Sequence, residues 1–105
     1  MLRAVYVRTL KPGVTDEQFV ESWMPEQHTR SSYPATVTIA RSLADPRQVL
    51  SVFDIDVDAS GFADVLPELV HPDSEARLAA IVESTQVHDV FAVADQFGAG
   101  ANSTA

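Results

Sequence analysis

Residues 2 to 18 read Leu-Arg-Ala-Val-Tyr-Val-Arg-Thr-Leu-Lys-Pro-Gly-Val-Thr-Asp-Glu-Gln, and this stretch decides the fold. Leu2 to Leu10 are rich in β-branched and aromatic side chains and stop at Lys11-Pro12-Gly13, which reads as a strand running into a turn. A helix starts immediately afterwards. Thr15 is a good N-cap, and Gln18 three residues on completes a capping box. Asp16 and Glu17 fall in the first turn, where the helix dipole favours acids. Val14 and Phe19 occupy the two positions of a hydrophobic staple. Phe19, Val20, Trp23 and Met24 form one apolar stripe, and Pro25 ends or kinks the helix near Met24. Residues 26 to 35 read as a loop.

Working outward, residues 36 to 43 and 48 to 57 read as two strands. The short link Ala44-Asp45-Pro46-Arg47 makes them an antiparallel hairpin. Val49, Ser51, Phe53, Ile55 and Val57 share one face of the second, with Leu50, Val52, Asp54 and Asp56 on the other. A second helical region is expected over residues 59 to 84, capped by Asp58 and stapled by Val57 and Phe62. Pro67 interrupts it, and His71-Pro72-Asp73 offers a fresh start with Pro at the first helical position. Residues 85 to 97 read as the last strand. Residues 98 to 105 are small and polar, and a disordered tail is expected there. The order β, α, β, β, α, β predicts one α+β domain over residues 1 to 97 with a ferredoxin-like arrangement: a four-stranded antiparallel sheet carrying two helices on one face.

The bulk composition narrows the function. One domain fits 105 residues, and the 46% apolar content is that of a globular chain. Fifteen acids against seven bases give a net charge of −8, which speaks against nucleic-acid binding and docking on anionic lipid. There is no cysteine, so disulfides and thiolate chemistry are excluded. No run approaches the ~20 apolar residues of a membrane span. The first residues alternate without an apolar block, and a cytoplasmic setting is expected.

The strands do not alternate cleanly. Leu2, Ala4 and Tyr6 lie on one face of the first strand, and Val5 and Val7 on the other. Leu50 and Val52 oppose the stronger face of their strand, as do Val90, Ala92 and Ala94. Two partly apolar faces need two covers. The helices supply one, and a second copy of the sheet about a two-fold axis is the economical other. A homodimer through the open sheet face is therefore expected.

These elements resemble the dimeric α/β-barrel superfamily over nearly all of residues 2 to 97. Thr9-Leu10-Lys11-Pro12-Gly13-Val14-Thr15-Asp16-Glu17 is similar to the first strand-to-helix junction of the stress-responsive barrel family, and resembles EthD-like proteins and lactone isomerases. His71-Pro72 resembles the first half of the stress-responsive His-Pro-x-His phrase. Phe19, Trp23 and His28 resemble the EthD-like Phe-x-x-x-Trp-x-x-x-His pattern. The chain departs from these patterns at three places. Ser74 replaces the second His of the phrase, Arg3 stands where the stress-responsive first-strand His belongs, and His28 falls one residue late. The resemblance implies cyclisation, lactone isomerisation or cofactor-free oxygenation, each with one part missing.

Proton-transfer candidates are His28, just past the first helix, His71, at a helix start, and Tyr6, in a central strand. Each has a plainer reading: His28 as a loop residue, His71 as a cap or packing group. His88 lines a cavity if its face meets the helices and an interface if it meets the partner sheet. Trp23 and Tyr33 offer ring surface to a ligand, although core packing also accounts for Trp23. Arg8 and Arg41 interrupt apolar faces, and each needs an acid or an anionic ligand. Asp54 or Asp56 can pair with one of them. Asp54, Asp56 and Asp58 alternate along one side, which reads as a solvated edge rather than a cation site. No metal and no organic cofactor are expected.

Two functions follow. One is a cofactor-independent enzyme moving protons on a small aromatic or polyketide-like molecule held between sheet and helices. The other is a non-catalytic homodimer that binds a ligand or takes part in a stress response.

Overall fold

The capping box forms as the sequence dictates. In the computed structural model, which describes residues 1–100, the Gln18 amide donates to the Thr15 hydroxyl at 3.1 Å and the Thr15 amide donates to the Gln18 side chain at 2.9 Å. These two bonds satisfy amides that the first helical turn leaves without partners. They fix the start of α1 (Asp16–Trp23) one short turn after β1 (Leu2–Leu10). Gly13 supplies the positive φ of that turn, +83°. Pro25 is fully buried just past the end of α1, consistent with the helix stopping at Met24.

The remaining elements are β2 (Thr36–Arg41), β3 (Gln48–Ile55), α2 (Phe62–Leu69), α3 (Ser74–Ile81) and β4 (Val82–Ala92). The strands form one antiparallel sheet in the order β2-β3-β1-β4. Buried residues alternate along the two central strands: Leu2, Ala4 and Leu10 on β1, and Val49, Ser51, Phe53 and Ile55 on β3. The core closes when Phe19, Val20 and Trp23 of α1 and Leu69 of α2 meet that face.

Several expectations need correcting. Three helices cover the sheet rather than two, because the chain breaks at His71-Pro72 between α2 and α3. Pro72 precedes the helix rather than occupying its first position, and Asp73 is the N-cap. Asp58 does not cap α2, whose N-cap is Gly61. Its carboxylate accepts from the Ser60 hydroxyl at 2.7 Å and the Gly61 amide at 3.0 Å, and these bonds hold its pKa below the ordinary value. Asp54 is not on an edge, since β3 pairs with strands on both sides. It binds Arg3 at 2.6 Å across the β1–β3 ladder.

The last strand also shifts. The expected span of 85 to 97 becomes Val82–Ala92, because Leu10 ↔ Val82 begins the pairing directly after α3 and Leu2 ↔ Ala92 ends it. Beyond that point β1 has run out of residues to pair. The Val93 amide reaches the Met1 carbonyl at 3.0 Å, and the chain then leaves the sheet with Phe97 exposed. Of the expected tail, residues 101–105 lie outside the described residues.

No helix is long and apolar enough to cross a membrane among the described residues. The face away from the helices carries Leu50, Val87 and Phe91, exposed at 37%, 38% and 49%. Val5, Val7 and Val52 lie beside them, half-buried. So Val87 and Phe91 point away from the helices, while Val90 packs on the core.

Phe19 has no exposed surface, and Leu43 is fully exposed. Phe19→Ala is expected to cost about 3–5 kcal/mol in urea unfolding. Leu43→Ala should stay within about 0.5 kcal/mol of the parent.

Candidate functional site

The helix-facing residues of β1 change character along the strand. Leu2, Ala4 and Leu10 are closed off, but Tyr6 and Arg8 between them stay half-buried. They stay open because α2 stands away from the sheet: of its eight residues only Leu69 is buried, and Leu66 is 38% exposed. The result is a cavity of about 820 Å³ between sheet and helices, well within the range of small-molecule sites. Its floor is Ala4, Tyr6 and Phe53. Phe62 and Leu66 of α2 and Leu78 of α3 form apolar walls, and Trp23 closes one end. Polar groups gather at the β4 side: Arg8, Ser84, Thr85 and His88, with Glu75 and Glu83 also on the lining.

Pairing across β1–β4 sets two of these. Tyr6 stands opposite His88, and their rings lie 4.8 Å apart. His88 therefore belongs to the helix-facing side, which resolves the alternative left open by the sequence. The register then slips between Val7 and Arg8, so Thr85 rather than Gln86 faces Arg8. Gln86 instead receives a bond from the Thr9 hydroxyl at 3.3 Å. Such a bulge re-aims side chains next to sites.

The Arg8 guanidinium sits 4.4 Å from the centre of the Tyr6 ring, a cation–π contact. Burial lowers the Arg8 pKa, and the neighbouring Tyr6 opposes that shift. Burial raises the Tyr6 pKa, with Arg8 pulling the other way. The Tyr6 phenol is thus a hydrogen-bond donor at neutral pH and a poor base.

Trp23 separates this cavity from a smaller one of about 360 Å³ between α1 and β2, which Tyr33, Val37 and Ile39 line. Trp23 packs edge-on against Phe53 at 4.9 Å and Tyr33 at 5.6 Å. Its indole N–H is buried with no partner. Tyr33 donates its hydroxyl to the Leu69 carbonyl, tying the loop before β2 to the end of α2. Burial pushes the Tyr33 pKa far above the ordinary value.

The structure brings Tyr6, Arg8, Trp23 and His88 together and leaves the other candidates elsewhere. His28 lies against Tyr33 at 6.2 Å, its Nε2 buried without a partner, and lines neither cavity. His71 is 6% exposed and has structural bonds. Its amide donates to the Trp23 carbonyl at 2.7 Å, and its Nδ1 accepts from the Asp73 amide at 3.0 Å. Arg41 pairs with Asp16 at 2.7 Å rather than with Asp54 or Asp56, and clamps the end of β2 to the start of α1. Sequence reasoning missed Thr85, Phe62, Leu66 and Leu78 as lining residues. Thr85 carried no signal, because a bulge leaves no mark in the residue pattern. No group of three or more His, Cys, Asp or Glu is placed to hold a metal ion among the described residues.

No protein-family model matches the chain, and no curated protein matches it. Among solved structures it is similar to a crystal structure of a protein from Chloroflexus aurantiacus J-10-fl, provisionally described as an antibiotic biosynthesis monooxygenase. The two share 19% identity at a TM-score of 0.60, over 94% of this chain and 98% of that one. The fold is ferredoxin-like. The strand order, the antiparallel sheet and the helical layer all agree with that likeness. Within one chain the sheet is open and does not close into a barrel.

The chain has two tyrosines, and both resist ionisation in the fold. A group whose folded pKa is raised gives stability that is complete below the unfolded value and is lost as pH rises through the folded one. Absorbance at 295 nm should therefore show no tyrosinate step near pH 10 in the native protein. Ionisation should appear only at higher pH, together with alkaline unfolding followed by circular dichroism.

Proposed function

We propose that this domain binds a flat, largely apolar small molecule between sheet and helices and moves a proton on it without a resident cofactor. The observation that carries this reading is the Tyr6–His88 pair, with Tyr6 half-buried on the floor of the cavity and His88 exposed at its β4 side. Apolar walls take the body of the ligand by removing its surface from water. The Tyr6 phenol, kept protonated by burial, donates to a carbonyl oxygen. The His88 imidazole, beside that ring, takes the proton from the carbon or hydroxyl next to the carbonyl and returns it elsewhere. Isomerisation and aldol-type cyclisation of aromatic or polyketide-like substrates can begin with this removal, as can oxygenation where dissolved dioxygen is the oxidant. The similar fold of the Chloroflexus protein agrees with small-molecule chemistry in such a cleft.

The probe is 2-tetralone, an aromatic ketone with an enolisable carbon. Its binding should quench the fluorescence of Trp23, the only tryptophan in the chain. Deuterium uptake into 2-tetralone, followed by proton NMR, should exceed the buffer rate and fall about 10²-fold or more in His88→Gln. Tyr6→Phe should lower the rate while binding persists. Binding with no added exchange would make the domain a ligand carrier, the non-catalytic alternative. A Leu78→Arg variant that still binds the ketone would put the ligand outside this cavity.

The functional unit in this proposal is a homodimer through the open sheet face, a soluble cytoplasmic protein in its setting. Leu50 and Val87 flank Val7 on that face, and Phe91 lies further along β4 beyond Asp89, so the face is partly apolar and in need of a cover. Sedimentation should give a dimer at micromolar concentration, and Phe91→Lys should give a folded monomer. A parent protein that sediments as a monomer would remove this part.

A further inference from the structure

Arg8 differs from the other two arginines on the sheet. Arg3 has Asp54 at 2.6 Å and Arg41 has Asp16 at 2.7 Å. Arg8 has no carboxylate within ion-pair reach among the described residues, although it is half-buried between Ala4, Tyr6 and Leu10 on the helix-facing side of β1. Two acids share the cavity. Glu83 is turned to Arg47 at 3.4 Å, and Glu75 is exposed on α3. A guanidinium taken partly out of water without a counter-charge is costly to keep. The Tyr6 ring at 4.4 Å offsets part of that cost from one side only. The other side faces the cavity.

The bulge adds a second observation. In regular register Gln86 would face Arg8, because His88 faces Tyr6. The slip replaces that long amide with Thr85, which pairs with Arg8 across the two strands and lines the same cavity. The site therefore offers an unpaired fork of N–H donors, a threonine on the paired strand and apolar walls.

We infer that the ligand of this cavity is an aromatic carboxylate, held through its two oxygens by Arg8 with Thr85 beside it. Guanidinium and carboxylate match as two parallel hydrogen bonds, which ammonium does not reproduce. The net charge of −8 disfavours anions at long range, so the selection is local and depends on Arg8. This inference rests on the cavity assigned under Proposed function and names the chemical class it takes.

The test compares 2-naphthoic acid with 2-naphthamide, its uncharged isostere, on the full chain by titration calorimetry at low salt. The acid should bind at least about tenfold more tightly. Raising the salt should weaken the acid and leave the amide unchanged. Arg8→Met should bring the two to equal affinity, and Arg8→Lys should keep only part of the preference. Equal binding of acid and amide by the parent protein would overturn the carboxylate assignment and leave the cavity standing. Failure of both to bind would overturn the cavity as well. The comparison in the parent protein decides the matter even if Arg8→Met does not fold.

Discussion

Phe53 holds the two layers together. It stands on the central strand β3, 6% exposed, and the rings of Tyr6, Trp23 and Tyr33 meet it at 5.7, 4.9 and 6.3 Å. One ring comes from β1, one from α1 and one from the loop before β2. The Tyr6 and Trp23 rings meet Phe53 edge-on and the Tyr33 ring at a tilt, and aromatic pairs of this kind add about 0.5–1.5 kcal/mol each beyond burial. This packing also fixes where α1 sits, because Trp23 cannot leave Phe53 without opening the core. The position of the cavity follows. Trp23 closes one end of it, and Phe53 forms part of its floor.

The cavity exists because the helical layer is incomplete. α1 packs its stripe fully, but α2 reaches the core mainly through Leu69. Pro67 lies inside α2 and removes a backbone donor from its last turn. The Tyr33 hydroxyl on the Leu69 carbonyl and the His71 amide on the Trp23 carbonyl hold the far end of α2 in place. The polar residues on β1 and β4 under the raised helix are thereby left facing space rather than side chains.

Much of this was legible in the sequence. Thr15 and Gln18 announced the first helix, Pro25 its end, and the strand periodicity of β3 its buried face. The i, i+2 spacing of Tyr6 and Arg8 put them on one face, and the structure shows them stacked. What was not legible depended on partners far away in sequence. The face taken by His88 follows from pairing with Tyr6. The slip beside Arg8 depends on how β4 matches the length of β1. His71 admitted both a proton-transfer and a capping reading, and its bond to Trp23 depends on a residue far away in sequence. The division of the second helix at His71-Pro72 was visible, while the separation of α2 from the sheet was not, because periodicity reports which side of a helix is apolar and not how near its partner lies.

The junction of α3 and β4 has no loop. Ile81 ends the helix, Val82 begins the strand, and the Lys11 amide fastens the Ile81 carbonyl at 2.8 Å. A helix welded to its strand in this way has no hinge, and tilting it would shear the ladder that carries Thr85 and His88. α1 is anchored by its own cap and its buried rings. α2 has no such joint, and its Gly61 end leads out through an exposed turn. The polar lining of the cavity thus stands mostly on paired strands, and much of its apolar lining stands on a helix that is not joined to that ladder.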